Sequence, residues 1–121
     1  MNNLPQFNSG QIVAIDAENT SLYAEVIQVV ILRQVCWVRP LMLVELTTEN
    51  QPLCYDLRDS ADLIWPWELF RVALDTEVIP FLVALNPPEQ KPEMLPRNHQ
   101  RFREFISQIW LNHSQVFRGV R

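Results

Sequence analysis

The 121-residue sequence predicts a mainly β, α+β fold, in which a small antiparallel barrel or curled sheet is followed by a C-terminal amphipathic helix. Three observations carry this. Residues 11–74 hold short runs rich in β-branched and aromatic residues, separated by polar turns. From Phe102 to Phe117 the apolar residues recur at helical spacing. Four prolines between residues 86 and 96 separate these two regions.

Residues 1–9 are polar and aperiodic and read as a flexible arm. The β-rich domain spans 10–85. Gly10 opens the strand Gln11-Ile12-Val13-Ala14-Ile15, and residues 16–21 form a turn. Residues 22–32 are a second strand. Glu25 and Gln28 break its alternation, which predicts a bulge or a switch of face. Arg33-Gln34 is a tight turn. Val35 to Leu46 resumes the meander, and Pro40, having no N–H for a ladder, belongs at an edge or bulge. Leu53–Leu57 and Leu63–Trp65 are further strands around the charged turn 58–62. Pro66 suits the start of one 3₁₀ turn over 66–69, and residues 70–74 return to alternation.

Asp75-Thr76-Glu77 has the acids of a helix start. Pro80 follows so closely that 78–85 is read as an edge strand rather than a kinked helix. Residues 86–97 are a proline-rich strap. Residues 98–118 are the helix, with Asn98 as cap and Gly119 as stop.

Net charge is −4, unevenly spread. Residues 97–121 hold five arginines against Glu104, a balance of +4; the other five basic and thirteen acidic residues give the body −8. Docking of the basic tail on the acidic body is the expectation. No apolar run reaches the roughly 18 residues of a membrane helix, and the N-terminus has no secretory pattern. Two cysteines, Cys36 and Cys54, make no disulfide framework, so a cytoplasmic location and reduced thiols are expected.

Motifs for chemistry are scarce. With only Gly10 and Gly119, a glycine-rich phosphate cradle is absent. His99 and His113 are fourteen residues apart, about 21 Å along a helix, too far to share an ion. Ser107 and Ser114 lie near His113 without a third member of a triad. Asp56, Asp59 and Asp62 form the one carboxylate cluster, and a solvated turn is its simpler explanation. Trp37, Tyr55, Trp65 and Trp67 would suit base stacking, but the strands around them are acidic and repel phosphate. Only Arg97, Arg101 and Arg103 on the last helix offer a positive face. The segment Trp65-Pro66-Trp67 either covers the core or presents an aromatic anchor to a partner.

The order of short strands, with a 3₁₀ turn at 66–69 before a last strand, resembles SH3-like small barrels over residues 10–75. The stretches 55–66, 69–71 and 73–80 resemble a small uncharacterised family of cyanobacterial proteins. That likeness implies a bacterial cytoplasm and no mechanism. The expectation is therefore a non-catalytic protein-interaction or assembly module without cofactor or metal, one candidate partner being a second copy. Its contact residues are Trp65, Trp67, Arg71, Arg97, Arg101 and Trp110. A nucleic-acid-associated regulator using the basic helix and an enzyme built on the carboxylates are the alternatives.

Overall fold

A computed structural model describes residues 7–48, 51–85 and 96–118. Residues 1–6 of the expected arm, most of the strap (86–95) and the Gly119 stop lie outside them. An antiparallel sheet is formed by β1 (Ile12–Ala17), β2 (Thr20–Val30), β3 (Val35–Glu45), β4 (Leu53–Asp56), β5 (Leu63–Pro66) and β6 (Arg71–Val72). Strand order is β4-β3-β2-β1-β6, with β5 also on β3. Among the described residues three α-helices follow: α1 (Asp75–Ala84), α2 (Pro96–Asn112) and α3 (Ser114–Arg118).

Two bulges shape the sheet. Val26 pairs with Val38 but Gln28 with Trp37, which leaves Ile27 unpaired. Tyr23 pairs with Met42 but Ala24 with Pro40, which leaves Leu41 unpaired. Each bulge switches the face its strand presents. Leu22, Ala24 and Val26 share a core with Val29, and Cys36 and Val38 share it with Leu43. Pro40 thus sits inside the sheet, buried, at a bulge rather than at an edge. The strand β2 stops at Val30, two residues short of the expected end. Ile31–Arg33 form a 3₁₀ turn, with Gln34 left-handed at φ 57°.

Between β5 and β6 the 3₁₀ turn Trp67–Leu69 carries the chain across the sheet. Pro66 pairs with Val35 of β3, and Arg71, five positions on, pairs with Ala14 of β1. Two separated strands linked by so short a span require the sheet to curl.

The sheet is covered on both faces. One cluster joins Val13, Ile15, Leu43 and Trp67 to Phe102, Phe105 and Ile109 of α2. The other joins Ala14, Tyr23, Met42 and Val44 to Val78, Phe81 and Leu85 of the α1 segment. Alternate residues of the same strands feed the two clusters, as a pleated sheet demands. Residues 7–9 are tied down rather than loose. Phe7 packs against the first cluster, and Ser9 Oγ donates to the Ile27 carbonyl at 2.8 Å.

Two expectations need correction. The segment 78–85 is not an edge strand, since α1 runs to Ala84 with Pro80 inside it. Pro80 is exposed; it lacks the N–H that would bond to the Thr76 carbonyl, and its ring crowds that carbonyl. Apolar contact with Tyr23 and Met42 outweighs that loss. Pro80→Ala restores the bond, and thermal or urea unfolding should show a gain of about 1–3 kcal/mol. A decrease would mean that the proline's restriction of the unfolded chain dominates. Second, Asn98 does not cap α2, which begins at Pro96. It is buried in the first turn and donates from Nδ2 to the Asp56 carbonyl at 3.0 Å, pinning the helix to β4.

Candidate functional site

The residues singled out from the sequence separate into three places. Trp67 lies in the core, 9% exposed, with its backbone N–H on the Gln34 carbonyl. A partner cannot reach it without rearrangement. Trp65 and Trp110 meet through a third ring. Phe117 of α3 stands edge-on to Trp65 at 5.3 Å between centroids and tilted on Trp110 at 4.5 Å. The alternating pattern of β5 turns Trp65 toward the helices, and the stripe of α2 carries Trp110 to the margin of its buried face.

Above these rings lies an apolar hollow of about 420 Å³, lined by Trp65, Ile106, Ser107, Trp110 and Leu111. Trp110 is 53% exposed and Leu111 75% exposed, so two large side chains stand open at its rim. A single exposed leucine is ordinary on a protein surface; an exposed tryptophan beside it at a concave site is the usual anatomy of a contact patch.

The basic residues of α2 turn partly inward. Arg101 bonds Glu45 at 3.0 Å and Glu104 at 3.1 Å. Arg97 and Arg101 place their guanidinium groups 5.8 and 5.7 Å from the Tyr55 ring centroid. These contacts seat the positive helix on the acidic body and reduce the face available to a phosphate backbone.

Arg71 joins a network that the sequence did not reveal. It bonds Asp16 at 2.6 Å and Glu77 at 2.6 Å, and Tyr23 Oη donates to Glu77 Oε2 at 2.7 Å. Glu77 also accepts the Leu74 N–H at 3.3 Å, which completes the start of α1. The Arg71 guanidinium is the main cause that holds the Glu77 carboxyl down at about 2, and its hydrogen bond likewise lowers Asp16. Burial first, then the bond to Glu77, pushes the Tyr23 hydroxyl up to about 12. The network is a latch between α1 and the sheet. It also borders a mixed hollow of about 330 Å³ lined in part by Asp16, Glu68, Arg71 and His113.

The three aspartates do not converge. Asp56 holds Arg58 at 2.7 Å, and Asp62 accepts from Trp37 Nε1 at 2.9 Å and pairs with Arg39. Asp59 is exposed on the turn between them. Among the described residues, no three His, Cys, Asp or Glu side chains come together as metal ligands. Cys36 and Cys54 are free thiols that feed opposite faces of the sheet. Burial pushes Cys36 up to about 11 and raises Cys54 as well. Among the described residues, no helix is long and apolar enough to cross a membrane.

One apolar surface was not anticipated. The outer side of α1 exposes Ile79, Leu82 and Val83, with Leu74 just before it. The unbroken run Val78-Ile79-Pro80-Phe81-Leu82-Val83-Ala84-Leu85 was its only signal. Such a run is too apolar to be one-sided in a surface helix.

No known protein family, characterised protein or solved structure matches this chain.

Proposed function

We propose that the protein is a non-catalytic interaction module that assembles with a protein partner through the hollow between Trp65 and Trp110. The observation that supports this most is the half-exposed Trp110, stacked on Phe117 and flanked by Leu111 at a concave, mainly apolar site. Such an anchor is held in place before binding, so little side-chain freedom is lost on contact. A location inside the cell belongs to the same proposal, supported by a cysteine content too low for a disulfide framework. The likeness to SH3-like barrels belongs to the same reading, supported by a 3₁₀ turn leading into a last strand that pairs with the first.

The test is a comparison of immobilised wild type with Trp110→Ala and Leu111→Ala. Wild type should retain a partner, either another protein or the chain itself. Each variant should stay folded by circular dichroism and bind at least about 30-fold more weakly, the factor expected for a hot-spot side chain. Identical retained proteins and affinities in all three would sink the proposal.

A further inference from the structure

We infer that the occupant of the Trp65–Trp110 hollow is the proline-rich segment 86–95 of a second copy of this chain. This rests on the interaction-module reading and names its partner. The segment reads Asn86-Pro87-Pro88-Glu89-Gln90-Lys91-Pro92-Glu93-Met94-Leu95. Such composition favours the extended polyproline conformation, which loses little entropy on binding and docks in grooves walled by aromatic side chains. The hollow has such walls in Trp65 and Trp110, with Ile106 and Leu111 completing an apolar lining.

Charge agrees with the match. In the segment Glu89 and Glu93 outweigh Lys91. On the helix, Arg103 is exposed one turn before Ser107 of the hollow and makes no ion pair among the described residues. An acidic proline-rich strand lying along α2 toward Trp110 meets a positive group on its way.

Chain length argues for binding between copies rather than within one. Leu85 packs against the cluster on the α1 face of the sheet, whereas the hollow is built by α2 and β5 beside the other cluster. Pro87 and Pro88 are two and three residues beyond Leu85, too close to it to reach the opposite side. Pro92 is four residues before Pro96, where α2 begins. Four residues of extended polyproline span about 12 Å, while Trp110 lies about 21 Å up the helix from Pro96. A second copy has no such restriction. Its segment follows directly on the exposed Leu82 and Val83 of α1, so docking draws that apolar surface toward the same contact. One reciprocal interface thus covers both of the exposed apolar surfaces described above.

Light scattering over a concentration series, with a synthetic peptide of residues 86–95 as competitor, tests this. The wild type should reach twice its 14.2 kDa mass. The peptide should return it to monomer. Trp110→Ala should bind the peptide at least about tenfold more weakly. The triple variant Pro87→Ala, Pro88→Ala, Pro92→Ala should keep the wild-type circular dichroism spectrum and be monomeric. A wild type that is monomeric throughout overturns the inference. So does a dimer that neither the peptide nor the triple variant disturbs. In either case the broader reading stands or falls separately, on whether Trp110→Ala and Leu111→Ala lose a different protein partner.

Discussion

Replacing Trp67 with alanine should cost about 3–5 kcal/mol of stability, while the same change at Trp110 should cost about 1 kcal/mol. Both residues are tryptophans singled out by the same kind of sequence argument, yet they occupy different environments. Trp67 is 9% exposed, and its ring contributes to the cluster between sheet and α2. Truncation leaves a cavity that the surrounding strands cannot close. Trp110 is 53% exposed and rests on Phe117, so its loss removes one aromatic pair and little buried area. A domain of this size has roughly 6–18 kcal/mol in total, so Trp67→Ala approaches the limit of folding. Urea denaturation followed by circular dichroism gives both values from shifts in midpoint. Similar midpoints for the two variants would show that Trp67 is not a core residue. The contrast matters for function as well. Binding defects in Trp110→Ala can be interpreted directly, whereas those in Trp67→Ala would reflect unfolding.

The second large effect is on pH dependence. Arg71 holds Asp16 and Glu77, and Glu77 in turn accepts from Tyr23. The Glu77 carboxyl lies at about 2 against an ordinary 4.5. A carboxyl depressed by folding contributes stability that is fully present above pH 4.5 and disappears as pH falls through about 2. Asp16, also depressed, adds to the same acid loss. Tyr23 acts at the other limit. Its hydroxyl is raised from 10.0 to about 12, so its contribution is complete below pH 10 and is lost as pH rises through about 12. The Arg71 variant to alanine should cost about 1 kcal/mol at neutral pH, a modest value because the Arg71 side chain is 43% exposed and its charge is screened. It should also flatten the acid limb, since Glu77 loses the main cause of its depression. Stability measured at intervals from pH 2 to pH 7 would detect both changes. An unaltered acid limb in Arg71→Ala would show that the latch does not couple to folding.

Much of the fold was legible because local chemistry and tertiary structure agree. β-branched runs formed the meander, and the Phe102, Phe105 and Ile109 spacing formed the buried stripe of α2. Pro66 introduced the 3₁₀ turn, and the broken alternation around Gln28 marked a bulge. The misreading of 78–85 has an equally definite cause. Val, Ile and Pro are poor helix formers, so local propensity favoured a strand. A second apolar cluster on the other side of the sheet, built from Tyr23, Met42 and Val44, supplied the contact that made a helix of it. Nothing in the sequence marks that cluster as belonging to a separate face, because the bulges at Ile27 and Leu41 reassign which residues point where.

The site divides in the same way. Sequence alone determined the class of fold, the tryptophans available for contact and the positive balance of the last helix, since each depends on composition and short-range spacing. Tertiary structure decided which tryptophans remain exposed. Trp67 entered the core where the chain crosses from β5 to β6, and Trp110 stayed at the margin of α2. It also brought Arg71 to Asp16, 55 residues away in sequence, and Tyr23 to Glu77, 54 residues away. Charge pairs at such separations follow from register and curl, which no local pattern encodes.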